Sequence, residues 1–258
     1  MRDELCRVIE NTRIQEDYFL LKIHSEYVSS RAVPGNFIML SSSPSSETLL
    51  KRPFGIFQAI PPHLWIYYQV VGKGTRLISN LKTGDTLSML GPLGNSFPAV
   101  SASDPAILMI AGGRGIAPLH FTISKYRKKN KIILIYGARS KPDLNHLDSL
   151  KSMKLDTLRL YTEDGSIGKR GTVISDLTGI IQEHGIRTIF SCGPDDMLVQ
   201  ISKIIKGLKA RHYASLEALM GCGFGICGSC VIQTIDNEYK KVCTDGPVFD
   251  MDEIKWQI

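Results

Sequence analysis

The sequence predicts an α+β protein of several modules: a small antiparallel β-barrel, a doubly wound α/β domain, and a small cysteine-rich C-terminal domain. Three observations lead there. Up to about residue 94, short strand-like runs follow one another with turns between them and no long helical pattern. From about residue 104, short apolar runs alternate with helical stretches, the rhythm of a parallel sheet wound with helices. Near the end, Cys222, Cys227, Cys230 and Cys243 gather in a glycine-rich segment. These features divide the chain into modules at 1–100, 101–214 and 215–258.

In the first module the expected strands are 5–13, 18–23, 37–40, 54–60, 64–71 and 86–90. Pro61-Pro62-His63 and Lys82-Thr83-Gly84-Asp85 break the pattern between them. Closely spaced strands without intervening helices favour an antiparallel barrel. In the second module, strands are expected at 106–111, 132–136, 157–161 and 188–191, and helices at 117–128, 144–152, 173–183 and 195–206.

Composition places the chain among ordinary globular proteins. It has 258 residues, 43% hydrophobic and 22% charged, enough for a sizeable core. No apolar run reaches the length of a membrane span, and the charged first residues lack a signal-peptide core, so a cytoplasmic chain is expected. The net charge of +6 is dispersed apart from a lysine-rich block at 125–131. That block falls where a helix ends, and cations there complement the helix dipole, so nucleic acid is not an expected partner.

Several glycine-rich segments suit phosphate binding. Gly112-Gly113-Arg114-Gly115 follows an apolar strand and opens a helix, where backbone can approach a dinucleotide pyrophosphate. It departs from the strict G-x-G-x-x-G pattern because Pro118 stands near the last position, and many such turns bind nothing. Gly72-Lys73-Gly74-Thr75 reads either as a hairpin turn or as a second phosphate cradle that includes the Thr75 hydroxyl. Arg52, in Arg52-Pro53-Phe54-Gly55, offers a guanidinium for a pyrophosphate, or else a surface ion pair.

The cysteines carry the sharpest signal. Cys222, Cys227 and Cys230 form a C-x4-C-x2-C run, the plant-type [2Fe–2S] spacing, with Cys243 as a fourth ligand further along. Interleaved glycines let the backbone curl around a cluster. A structural zinc site is the rival reading, although zinc sites usually come as two C-x2-C pairs. A disulfide framework suits small secreted chains better than this one. Cys6 and Cys192 stand apart, and Cys6 reads as a small buried apolar residue.

Taken in order, these segments resemble the ferredoxin-reductase superfamily along almost the whole chain, and within it the electron-transfer subunits of two-subunit, NAD-linked dihydroorotate dehydrogenases. The resemblance rests also on Gly91-Pro92-Leu93-Gly94-Asn95-Ser96-Phe97, on Tyr136-Gly137-Ala138-Arg139-Ser140 and on Cys192-Gly193-Pro194. Its most discriminating marks are the short gap to Cys243 and the Asp245-Gly246-Pro247-Val248-Phe249 that follows it. The resemblance implies an oxidoreductase subunit, a flavoprotein of electron transport in pyrimidine biosynthesis, with FAD, a [2Fe–2S] cluster and NAD as cofactors. FAD would lie on the barrel, with Arg52, Gly72, Gly74 and Thr75 at its phosphates, Pro53, Phe54 and Gly55 by its ring, and Tyr67, Tyr68 and Gln69 along a neighbouring edge. NAD would meet Gly112, Gly113 and Gly115 through its pyrophosphate and Cys192, Gly193 and Pro194 through its nicotinamide. Cys222, Cys227, Cys230 and Cys243 would ligate the cluster. Glu217 reads either as a group near the flavin ring or as a surface carboxylate.

The implied partner is an FMN-containing catalytic subunit that oxidises dihydroorotate to orotate, in a heterotetramer of two plus two chains. Gly55 stands where the family commonly has Ser or Thr, and Gln69 where it often has Arg. Arg139 facing a 2′-phosphate, or Glu163 or Asp164 facing a ribose hydroxyl, leaves NAD and NADP both open. Related subunits feed hydrogenases, sulfite reductases or ferredoxin-linked transhydrogenases. A zinc-stabilised binding module whose glycine loops are plain turns is the reading from another class.

Overall fold

The computed structural model describes residues 1–42, 49–101 and 103–256. The chain forms two compact units. The first comprises residues 1–96 with the stretches 217–232 and 240–247, so it carries all four clustered cysteines. The second comprises 97–216, 233–239 and 248–258.

The first unit is a curled antiparallel sheet. In chain order its elements are β1 (Arg2–Gln15), β2 (Tyr18–His24), α1 (Glu26–Arg31), β3 (Phe37–Ser41), β4 (Arg52–Gly55), β5 (Gln58–Ile60), β6 (His63–Gln69), α2 (Lys73–Ser79) and β7 (Thr86–Leu93). The strand order is β4-β3-β7-β1-β2-β6-β5. Along β7 every second residue is buried, Leu87, Met89, Gly91 and Leu93, which is the period of a strand with one face on a core. Leu21, Ile23, Ile38, Met39, Leu40, Leu64 and Ile66 are fully enclosed. Two expectations need correction here. The strand expected at 54–60 is two strands, because Ile56 and Phe57 turn inward between them. The Gly72–Thr75 segment is no hairpin turn but the start of helix α2.

The second unit contains β8 (Ile107–Gly112), α3 (Ile116–Tyr126), β9 (Ile132–Ala138), α4 (Leu147–Ser152), β10 (Thr157–Thr162), β11 (Lys169–Arg170), α5 (Leu177–His184), β12 (Thr188–Cys192), α6 (Asp195–Ile205) and β13 (Arg211–Ser215). Two short tail strands, β14 (Val231–Gln233) and β15 (Tyr239–Lys241), pair with each other, and β16 (Val248–Asp250) runs antiparallel to β13. The sheet order is β11-β10-β9-β8-β12-β13-β16, parallel except for β16. Residues 107–111 of β8 are all wholly buried, the near-continuous apolar run of a strand covered on both faces. Ile180 and Ile181 of α5 and Ile201 and Ile205 of α6 pack onto this sheet with Leu108, Ile110, Ile135 and Ile189. Because β8 pairs with β9 on one side and β12 on the other, the winding reverses there. Ligands of open α/β sheets bind at the carboxyl ends of the strands flanking such a switch point.

Candidate functional site

Three groups of residues carry the chemistry. The first is the cysteine loop. Gly223 and Gly225 adopt φ of +82° and +88°, values that residues with a Cβ rarely hold. They fold the segment so that the Cys227 N–H reaches Cys222 Sγ at 3.5 Å. Ser229 braces the turn: its hydroxyl accepts from Gly221 N–H at 2.9 Å and lies 3.2 Å from Cys227 Sγ. Cys230 and Cys243 are both buried, and Cys230 lies near enough to act on the Cys243 thiol. Val242 N–H donates to the Cys230 carbonyl at 2.9 Å, holding the two strands of the pair together.

The sulfurs differ in character. The Ser229 hydroxyl and N–H, with further hydrogen bonds from Cys222, bring Cys227 down to about 6. Burial opposes ionisation of Cys222, yet N–H groups of Cys227, Phe224 and Ile226 outweigh it and lower that thiol as well. Burial and the neighbouring Cys230 push Cys243 up to about 11. Donated N–H groups stabilise sulfur-borne negative charge before any metal arrives. Four cysteine thiols brought together in this way suit a soft, thiolate-bound centre such as an iron–sulfur cluster.

The barrel motifs explain how the fourth cysteine is held. Asn95 N–H donates to the Gly246 carbonyl at 2.6 Å, and its side-chain amide donates to the Asp245 carbonyl at 3.0 Å. Asn36 in turn donates to the carbonyls of Gly94 and Asn95. A Cβ on Gly94 would stand 2.5 Å from Pro247 Cδ. The Gly91–Phe97 and Asp245–Phe249 motifs noted in the sequence therefore meet through Gly94, Asn95 and residues 245–247, as opposite sides of a single contact.

The second group lies on the sheet edge. Here β4 pairs with β3, setting Arg52 opposite Leu40 and Gly55 opposite Phe37. The Phe54 ring meets Tyr68 edge-on at 5.7 Å, which brings the Arg52–Gly55 segment beside β6. Tyr67 stacks on Tyr18 at 5.7 Å, and Gln69 pairs with Tyr18 at the strand end. A Cβ on Gly74 would stand 2.6 Å from Arg52 Nε, so the glycine makes room for that guanidinium, which also donates to the Leu50 carbonyl. Arg52, Gly72, Gly74 and Thr75 therefore sit together. The Thr75 hydroxyl accepts from Val71 and Gly72 N–H and donates to the Gly72 carbonyl, capping its own helix. It shapes the turn instead of reaching outward. The first-turn N–H groups of α2 and the Arg52 guanidinium are what this edge offers an anion.

The third group is at the switch point of the second unit. A Cβ on Gly115 would fall 1.9 Å from the Cys192 carbonyl oxygen, and one on Gly112 2.9 Å from Pro194 Cδ. Gly193, at φ +159°, comes within 3.0 Å of Gly112 Cα by the same measure. Gly112, Gly115, Cys192, Gly193 and Pro194 thus form two interlocked loops at the carboxyl ends of β8 and β12. Gly113, at φ +50°, has open space before it. Cys192 is buried and so acts in packing. Of the residues considered for the ribose, Asp164 accepts from the Ser166 N–H and hydroxyl at 3.0 and 2.6 Å, and these bonds also lower its pKa. Glu217 is exposed.

Sequence reasoning passed over two residues. Asn11 donates to the carbonyls of Ile78 and Leu81 at the end of α2 and accepts from the Tyr68 hydroxyl at 3.2 Å. Met197 packs over Gly112 and Gly193. Asn11 acts across a long sequence separation and Met197 reaches Gly112 across another, and no local pattern marks either.

Comparison with known proteins decides among the readings. Residues 217–255 match the iron-sulfur cluster binding domain of dihydroorotate dehydrogenase B, and residues 109–203 match the oxidoreductase NAD-binding domain. The electron transfer subunit of dihydroorotate dehydrogenase B (NAD(+)) from Fusobacterium nucleatum is 32% identical over 256 residues, covering 96% of this chain and 97% of that protein. The chain belongs to this family. An Aquifex aeolicus homolog of the same subunit is 35% identical over 254 residues, again covering 96% and 97%. A solved structure of NADH-dependent reduced ferredoxin-NADP oxidoreductase superposes with a TM-score of 0.85 at 29% identity, covering 98% of this chain and 90% of that one. The chain is thus an oxidoreductase subunit of the electron-transfer type with a ferredoxin-reductase-like fold. The zinc-stabilised binding module is set aside: the four cysteines lie in a domain whose family binds an iron–sulfur cluster.

Proposed function

We propose that this chain relays electrons between NAD(H) and an FMN-containing partner subunit that oxidises dihydroorotate to orotate, a step of pyrimidine biosynthesis. The observation that carries the reading is the cysteine loop: four neighbouring thiols, with a backbone N–H of Cys227 on Cys222 Sγ, within a segment matching the cluster-binding domain of that family. When bound, FAD accepts electrons in pairs and the [2Fe–2S] cluster passes them singly, which converts hydride chemistry to one-electron transfer.

The chain's own residues hold and orient. Arg52 and the first turn of α2 take the FAD phosphates, with Gly74 leaving room for the guanidinium. Phe54, Gly55, Tyr67, Tyr68 and Gln69 line the flavin, and Gly55 offers it only backbone. Gly112, Gly113 and Gly115 admit the NAD pyrophosphate, while Cys192, Gly193 and Pro194 flank the nicotinamide. Cys222, Cys227, Cys230 and Cys243 would together hold the cluster. Residues 215–258 therefore act as a functional module, although its stretches pack in both units. Asp164 is turned to its own loop, and NAD as the nucleotide rests on the family and its NAD-binding domain.

Exposed apolar side chains surround the cysteines. Leu219 is 89% and Ile226 79% accessible, and Phe224 and Val231 are exposed too. Such a patch beside an electron-carrying centre suits the partner's docking face. Among the described residues no helix is long and apolar enough to cross a membrane. We place the assembly in the cytoplasm as two copies of each chain. Anaerobic affinity purification at native expression tests this: an FMN protein with dihydroorotate-oxidising activity should co-purify in equal amount. Recovery of a different redox partner would contradict it.

A further inference from the structure

A cavity of about 300 Å³ lies at the amino ends of β12 and β13. Arg187 immediately precedes β12, Lys209 stands two residues before β13, and Arg211 opens β13. All three line the cavity, against a single lining carboxylate, Asp104. Asp104 is already engaged, accepting from the Thr188 hydroxyl at 2.8 Å. Arg211 donates to the Tyr213 hydroxyl at 3.5 Å and is shared with Asp250 and Asp252 outside the cavity. Arg187 and Lys209 have no ion pair or side-chain hydrogen bond among the described residues.

Three basic side chains line one concavity that holds a single, already engaged carboxylate, and their combined field favours an anion there. Two guanidinium forks and one ammonium match the oxygens of a phosphate better than a single carboxylate. The volume is at the small end for ligand pockets. The site is separate from the dinucleotide loops. These lie at the carboxyl end of β12, and a strand of that length puts about 15–20 Å between the two. We propose that this cavity binds a small phosphate-bearing anion, at a site distinct from both cofactor sites. This goes beyond the electron-relay reading and stands without it.

Inorganic pyrophosphate titrated calorimetrically into the full-length, cofactor-loaded protein tests the proposal. One saturable site per chain is expected, its affinity unchanged by excess NAD+. The double variant Arg187→Gln, Lys209→Ala should weaken it by ~10-fold or more. Lys209→Arg should retain it, and NADH-driven flavin reduction should be the same in all three proteins. Absence of binding up to ~10 mM would overturn the proposal. So would equal affinity in wild type and double variant, or displacement of pyrophosphate by NAD+, which would move the site to the glycine loop.

Discussion

The cysteine loop and the dinucleotide loop are both rich in glycine and both contain positive φ, but their glycines are hemmed in by different neighbours: side chains in the first, backbone at Gly115 in the second. In the first, Gly223 and Gly225 hold positive φ, so a Cβ is strained there, and it would also crowd Met39 or Thr244 side chains. In the second, Gly115 has an ordinary φ of −59°, and the requirement is space, since a Cβ would meet the Cys192 carbonyl at 1.9 Å. The chemistry differs in parallel. Side-chain sulfurs define the cysteine loop, whereas the proposed dinucleotide loop offers backbone amides and close approach. A donor-based site should fail at the donor, and a backbone-based site should fail wherever any side chain is added.

The largest effect expected is at Cys227. Cys227→Ser should lose most of the bound iron and abolish onward electron transfer, while NADH still reduces the flavin within ~2-fold of wild type. Stopped-flow flavin bleaching set against reduction of the partner separates the two steps, and an equal loss of both would contradict the division. Gly115→Ala should do the reverse. Iron content should stay unchanged, flavin reduction by NADH should fall ~10-fold or more, and stability should drop by about 1–3 kcal/mol.

Gly74→Ala sharpens the contrast on the barrel side. The new methyl displaces Arg52, so FAD should dissociate ~10-fold more readily while NAD binding and iron content hold. Fluorescence of released flavin on dilution measures it, and unchanged retention would remove Arg52 from the phosphate site.

The smallest effect concerns His212, buried between the hydroxyls of Ser191 at 2.6 Å and Ser202 at 3.0 Å. Burial lowers its pKa to about 3. Held below its unfolded value, this histidine takes up a proton when the chain unfolds. Its stabilising contribution is complete above pH ~6.5 and declines as pH falls towards about 3. Melting temperature should therefore fall less steeply with acid in His212→Asn than in wild type between pH 6.5 and 5. Parallel curves would contradict the assignment.

What the sequence made legible follows the same contrast. The cysteine spacing is local, so its chemistry could be read directly, and the alternating runs after residue 104 marked the α/β order. Helix α2 was hidden because Gly72-Lys73-Gly74-Thr75 looks like a turn until Thr75 caps it. Asn11 reaches α2 and Met197 reaches Gly112 across long stretches of sequence, and no periodicity encodes that. The contact of Asn95 with Gly246 was present only as two unconnected motifs. The order of the tail, with its strands pairing in separate places, follows from packing, which a linear reading does not contain.

The central claim is that Cys222, Cys227, Cys230 and Cys243 together hold a two-iron centre. Metal and acid-labile sulfide analysis of anaerobically purified protein, with the spectrum before and after NADH, addresses it directly. The expected result is ~2 iron and ~2 sulfide per chain, with visible absorbance that bleaches on reduction. One zinc per chain, or neither iron nor sulfide even after reconstitution, would contradict it.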